Sequence, residues 1–265
     1  MRPSAAPIDP AAPSERVAAP WFQRVTFHST LAALCPLIPI PFLDDWALAW
    51  VRRRQVAEAL AARHLAATDW HVAVLAGEKL EAHRGGCLLA TAFGWTVKAV
   101  IYVVKRLFRK LLIFLAIKDG ADKFSLVFHE GYLLHHAMER GVLTPASMAD
   151  PNEVIRVRLA LERACGEIDA RPVNQLVRRI LRGSRGLLRE AARGLGRVLR
   201  RQRRGEGTAD TAGGVEAEQE RLLGSLTDRL MADLWHQEGY RAELVAHFER
   251  ALAQPLFSSS SAQRA

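Results

Sequence analysis

Arginine and aliphatic residues alternate between Arg171 and Arg204 at three-and-four spacing, a period that an amphipathic helix satisfies and a strand does not. On a wheel of about 100° per residue, Arg178, Arg182, Arg185, Arg189, Arg193, Arg197 and Arg200 fall within an arc of roughly 120°. Val173, Leu176, Val177, Ile180, Leu181, Leu187, Leu188, Leu195, Val198 and Leu199 fill the opposite side. Twelve arginines against one glutamate give this window a charge of +11, more than the +9 of the whole chain, so the remainder sums to −2. The basic character therefore belongs to one segment, and an acidic partner is expected there. A helix over the window is about 50 Å long and too polar on one face to cross a bilayer. Gly183, Gly186, Gly194 and Gly196 each cost roughly 1 kcal/mol relative to alanine, which predicts a bend or break near Gly183 to Gly186, or a helix completed on contact. Three surfaces fit such a ridge: the protein's own core beneath the leucines, an anionic membrane, and nucleic-acid phosphates.

A second cationic region precedes it. All six lysines lie between Lys79 and Lys123. Between Lys98 and Lys118 one face carries Lys98, Lys105, Arg106, Arg109 and Lys110, while Val100, Val104, Leu107, Phe108, Leu111, Phe114 and Leu115 share the other, with no glycine or proline between them. Cys87 to Val104 approaches the length of a membrane span. Its Leu, Ile, Val and Phe residues favour insertion by roughly 2 to 5 kcal/mol, against about 2.5 to 3.5 for Lys98. That balance leaves a core helix, an interfacial helix and a span all open, and a mean hydropathy of −0.01 argues against a multi-span protein.

Alanine, leucine, arginine and glutamate at helical spacing dominate, and strand-like alternation is scarce, so the fold class is all-α, a multi-helix bundle with long amphipathic helices. Residues 1–20 hold five prolines and no uninterrupted apolar core, the composition of a disordered tail and not of a secretory signal. A helical core over 21–170 is expected next, then the arginine-rich segment 171–204, a glycine-rich linker over 205–215, a C-terminal helical hairpin over 216–254 turned near Gly239, and a tail over 255–265. Within the core, helices are expected over Trp21 to Leu34, Trp46 to His64, Asp69 to His83 (ending at Gly85 and Gly86), Asp122 to Arg140 (stopped by Gly141), and Asn152 to Glu167, capped by Asp150 with Pro151 at its first position. Pro36, Pro39 and Pro41 forbid a regular helix over Pro36 to Asp45, which predicts a buried extended connector whose Asp44 or Asp45 caps the next helix. Leu222, Leu226, Leu230 and Leu234 make the hairpin stripe two heptads long, too short for a coiled coil, so a monomer is expected.

No signature of catalysis stands out. His129, Glu130, His135 and His136 form HEGYLLHH, but the histidines are six and seven apart, not four, and His129 and His136 lie about 10.5 Å apart along a helix, too far to hold one ion. Neither Glu130 nor Glu139 has a histidine three residues later, as a di-iron bundle requires. These histidines are expected to serve solvation, capping or core hydrogen bonds. Cys35, Cys87 and Cys165 are odd in number and form no CxxC. There is no GxSxG, no Walker sequence and no GxGxxG. Arg182 to Gly186 (RGSRG) lacks the preceding strand that a phosphate loop needs. No catalytic residue, metal site, cofactor or small-molecule substrate is expected.

PLIPIPFLDDWALAWVRRRQVAEALAARHL, from Pro36 to Leu65, resembles EcsC-like and related helical proteins of bacteria, in which apolar segments punctuated by proline and glycine are associated with membranes. The resemblance implies membrane association and carries over no functional residue. The expectation is a non-enzymatic cytoplasmic protein held peripherally at the inner membrane face through Lys98, Lys105, Arg106, Arg109, Lys110, Arg178, Arg182, Arg185, Arg189, Arg193, Arg197 and Arg200. The alternatives are a sequence-indifferent nucleic-acid binder using the same arginines, and a helical protein-partner module.

Overall fold

The computed structural model describes residues 19–37, 43–78, 109–184, 186 and 223–254, and every regular element among them is helical. The chain forms the all-α bundle that its periodicity predicts. In chain order the helices are α1 (Pro20–Leu34), a 3₁₀ turn (Cys35–Leu37), α2 (Leu43–Ala62), α3 (Asp69–Leu75), α4 (Arg109–Glu139), α5 (Pro145–Met148), α6 (Pro151–Glu167), α7 (Arg171–Gly183), α8 (residues 223–235) and α9 (Glu238–Ala253).

The 31-residue α4 is the spine, about 46 Å long. Helix α1 runs antiparallel to it: Trp21 stacks on His135 with ring centroids 3.8 Å apart, and Ala33 lies against Gly120. Approach is close because α1 buries small residues. Thr26, Ser29 and Thr30 are buried, yet each donates its hydroxyl to the carbonyl four residues back, at 2.9, 2.7 and 2.8 Å, so this polar face packs without unmet hydrogen bonds. Helix α2 runs parallel to the spine, with Arg52 at Glu130 and Arg63 at Glu139. Helices α6 and α7 return antiparallel: Arg158 meets Glu130, and Arg178 meets Asp122 further back. Helix α9 runs parallel again, because Tyr240 reaches His129 and Glu249 reaches His136, and α8 brings Trp235 onto Phe22.

This topology gathers one end of the bundle. The close of α1 with its 3₁₀ turn, the start of α2 and the Asp119–Lys123 stretch of α4 meet there, with α7 alongside at Asp122. Asp44, Asp119 and Lys123 all act on the Cys35 thiol, which ties α1, α2 and α4 together at this end. Leu223 of α8 belongs to the same apolar cluster as Leu34, Cys35 and Ile117.

Two apolar clusters flank the middle of the spine. One joins Phe22, Leu34, Val51, Phe124 and Phe128 with Val173, Val177 and Leu181 of α7 and Leu223, Leu226, Leu230 and Leu234 of α8. The other joins Leu60, Leu75, Leu133, Leu134, Leu161, Leu244 and Phe248. The aliphatic side of α7 and the leucine stripe of α8 are therefore spent on the same core as α1 and α4. Tyr132 and Tyr240 touch both clusters.

Several boundaries differ from the sequence reading. Helix α4 begins by Arg109 and passes through Asp119 and Asp122 without a break, where a separate helix was expected from Asp122; packing of Gly120 on Ala33 keeps it continuous. Helix α3 stops at Leu75 and not at Gly85, because Gly77 turns the chain at φ +86°. Helix α2 starts at Leu43, so Asp44 and Asp45 sit in its first turn and do not cap it, although their charge still suits that end of the dipole. The last turn falls at His236 and Gln237, just before the expected Gly239. Asp150, Pro151 and Gly141 act as expected: Asp150 accepts from the Asn152 N–H at 2.9 Å, Pro151 opens α6, and Gly141 follows α4 at φ +69°. Residues 38–42 of the expected connector, the Cys87 to Val104 stretch, the linker over 205–215 and both tails through residue 18 and from residue 255 lie outside the described residues.

The spacing of α1 and α4 rests on Gly120, where an added Cβ would stand 2.5 Å from the Ala33 carbonyl oxygen. Backbone cannot yield as a flexible side chain does, so Gly120→Ala is expected to destabilise the fold by about 1 to 3 kcal/mol despite alanine's better helix propensity. Gly166→Ala, where nothing stands within 4 Å, is the control and should be neutral or stabilising. Urea unfolding of the two variants checks this.

Candidate functional site: a buried polar layer and a cationic end

At mid-spine the two apolar clusters are separated by charged side chains. Glu130 Oε2 accepts from Arg52 Nε at 2.9 Å, and Oε1 accepts from Arg52 Nη2 at 2.7 Å and Arg158 Nη1 at 2.8 Å. Side-chain exposures of 12%, 9% and 6% for Arg52, Glu130 and Arg158 put all three charges out of water. Arg158 Nη1 also donates to the Leu75 carbonyl at 3.2 Å, while its buried Nε has no partner. Gly77 is part of this arrangement: an added Cβ would come within 2.6 Å of Arg158 Nη2 and 2.8 Å of Arg52 Nη2. A residue without a side chain is required there on both conformational and steric grounds. The layer binds α2, the turn after α3, α4 and α6 at one carboxylate.

Consecutive arginines of α2 part ways. Arg52 turns inward, Arg53 pairs with Glu78 at 2.7 Å and with Asp69, and Arg54 pairs with Glu58 one turn on at 2.8 Å. The histidines of HEGYLLHH each take a different partner. His129, 2% exposed, shares a 2.7 Å hydrogen bond with the Tyr240 hydroxyl, and burial pulls its pKa down to about 4. His135 Nε2 lies 3.0 Å from Arg63 Nη2; a guanidinium can only donate, so the neutral ring carries its proton on Nδ1, facing Glu139 at 3.7 Å. Burial, with Arg63 and His136 assisting and Glu139 opposing, draws His135 down to about 4. His136 meets Glu249 at 2.9 Å and holds that carboxyl below its usual range. Core hydrogen bonding and ion pairing thus account for all three.

Chemistry is limited by the same burial. The Tyr240 hydroxyl and the Cys165 thiol are pushed up by desolvation, and Cys35 rises to about 12, so none is an accessible nucleophile near neutrality. The cavity beside Arg52, Gln55, Glu130 and Leu161 measures about 10 Å³, room for one water at most. Among the described residues no group of three or more His, Cys, Asp and Glu side chains converges as metal ligands.

Of the cationic residues singled out in the sequence, Arg178 and Arg182 lie on α7, and Arg109 and Lys110 open α4. Arg178 is half-buried and donates to Asp122 Oδ1 at 3.0 Å, beside Asn174, which donates to the same oxygen at 2.9 Å. The first member of the ridge is thus engaged by the protein's own spine. Arg179 and Arg182 are exposed, over the buried Val173, Val177 and Leu181. Lys98, Lys105, Arg106, Arg185, Arg189, Arg193, Arg197 and Arg200 lie outside the described residues. Trp46 and Leu115 are the exposed large hydrophobic side chains among the described residues, at 37% and 55%. Leu115 had been grouped with an apolar face, but periodicity does not say whether a face is covered. Among the described residues no helix is long and apolar enough to cross a membrane. No protein-family model, curated protein or solved structure matches the chain.

Removing the carboxylate while both guanidiniums stay buried leaves like charges facing each other, so Glu130→Ala should cost about 3 to 5 kcal/mol. Converting all three residues together, in Arg52→Met, Glu130→Leu and Arg158→Met, should recover most of that loss in the same unfolding measurement.

An unfolded histidine titrates near 6.5, so between about 6.5 and 4 the unfolded chain binds a proton that folded His129 refuses. Stability is fully present above that window and falls as pH drops through it, by about 3 kcal/mol for His129 alone. His129→Asn removes the titration, and its stability should fall less steeply than wild type from pH 7 to 4; equal slopes would discount His129 as the source.

Proposed function

We propose that this is a non-enzymatic helical protein that associates peripherally with the anionic cytoplasmic face of a membrane through cationic amphipathic segments. The observation that carries this reading is topological. The stretch bearing Lys98, Lys105 and Arg106 runs into α4 at Arg109, and the stretch bearing Arg185 to Arg200 leaves α7 after Gly183. Because α7 is antiparallel to α4, both enter the bundle at the same end, so two segments of one design can act on one surface. Each Lys or Arg near an anionic leaflet contributes about 1 kcal/mol, so half of the arginine segment suffices for binding at moderate salt. The likeness of Pro36 to Leu65 to EcsC-like proteins points the same way.

A second reading has its own support. With Val173, Val177 and Leu181 buried beneath exposed Arg179 and Arg182, the described part of the ridge offers charge without an apolar face, which also suits nucleic-acid phosphates. Such binding would be sequence-indifferent and steeply salt-dependent.

Sedimentation with vesicles decides between them. Protein is expected in the pellet with vesicles containing an anionic phospholipid and in the supernatant with neutral ones. Replacing Arg189, Arg193 and Arg197 with glutamine should weaken partitioning about a hundredfold. Protein that stays in the supernatant with anionic vesicles at low ionic strength, yet binds duplex DNA there, would transfer the function to the second reading.

A further inference from the structure

The small cavity at mid-spine has walls whose chemistry selects its occupant. Its volume of about 10 Å³ is that of one water-sized sphere, and it lies between Gln55 and Val56 of α2 and Glu130 of α4, with Arg52 on the same wall and Leu161 closing it. Gln55 is 5% exposed. The orientation of its amide is fixed, because Nε2 lies 3.3 Å from the Val127 carbonyl oxygen and a carbonyl can only accept. The amide also rests on the spine backbone, where a Cβ added at Gly131 would stand 2.0 Å from Nε2. Among the described residues nothing donates to the Gln55 Oε1.

Glu130 has a similar surplus. Its Oε1 accepts from Arg52 and from Arg158, whereas Oε2 accepts from the Arg52 Nε alone, and each carboxylate oxygen offers about two lone-pair sites. Two acceptors short of donors therefore line one space of molecular size. Leaving both unmet in a dry interior is costly, and neither side chain can supply the other, since an amide oxygen and a carboxylate oxygen only accept. A metal cation would satisfy both oxygens but would set a further positive charge beside the two guanidinium groups. A neutral molecule with two donors, small enough for the space, meets every requirement. Arg52 can only donate, which suits the oxygen of such a molecule.

We propose that this cavity is a hydration site, in which one long-lived water donates to Gln55 Oε1 and to Glu130 Oε2 and accepts from the Arg52 side. The water is then a structural member of the buried layer. It joins α2 to α4 beside the ion pairs and completes the hydrogen bonding of the carboxylate on which those pairs converge.

Oxygen-17 magnetic relaxation dispersion on the full chain tests this, since it counts waters held long enough to tumble with the protein. Wild type is expected to show one such water more than Val56→Ile, whose added methyl group takes up the space. The same difference is expected against Gln55→Met, which keeps the length of the side chain and removes the acceptor. Urea unfolding establishes that each variant is folded, and Val56→Ile should gain no stability, because its methyl group displaces a hydrogen-bonded molecule. Equal dispersion in the wild type and a folded variant overturns the proposal. So does a Val56→Ile protein more stable than wild type, the behaviour of an apolar void that has been filled. A crystal structure of the wild type reads the site without any substitution: a water within hydrogen-bond distance of both oxygens supports the proposal, and a dry cavity or a bound cation there overturns it.

Discussion

One buried carboxylate organises the middle of this bundle. Glu130 stands on the long spine helix where α2 and α6 cross it, and both neighbours send a guanidinium to the same oxygen. Two buried arginines without that carboxylate would repel each other in a low-dielectric interior, and the carboxylate without them would be a buried charge with nothing to offset its lost hydration. Their mutual need fixes the register of α2 and α6 along α4 more tightly than apolar contact alone, because leucines tolerate sliding and a bidentate ion pair does not. Gly77 follows from the same layer, since only a residue without Cβ passes between the two guanidinium groups.

Above and below that layer the interior is apolar and closely packed, and its histidines are tuned by place. His129 is deep, neutral and tied to Tyr240; His135 lies against Trp21 beneath an arginine; His136 faces the carboxylate of Glu249. One short sequence thus supplies side contacts to α9, α1 and α2, and α9 in turn. Neither catalysis nor metal binding is needed to explain why polar residues cluster there.

Outside the core, ion pairs join neighbouring helices along the whole described length of α4: Arg63 with Glu139 and Arg140 with Glu249 where it closes, and Arg178 with Asp122 nearer its start. Trp46 and Leu115 are the large hydrophobic side chains among the described residues that stay exposed.

Period and punctuation in the sequence determined the helical class, the placing of α1 and α6, the cap of α6 at Asp150 and the stop of α4 at Gly141, because all of these depend on neighbours within one turn. The amphipathic character of α7 was equally legible, down to the side its aliphatics occupy. Tertiary structure alone decided what those sides meet. That Arg52 turns inward while Arg53 and Arg54 stay near the surface depends on Glu130, 78 residues away. That Arg178 is engaged by Asp122 depends on α7 lying along α4, and no local spacing encodes it. The close approach of Gly120 to Ala33, and the exposure of Leu115 on a face that the period makes apolar, both depend on residues far away in sequence. Helical period states which residues share a face, whereas burial depends on which distant element arrives to cover that face.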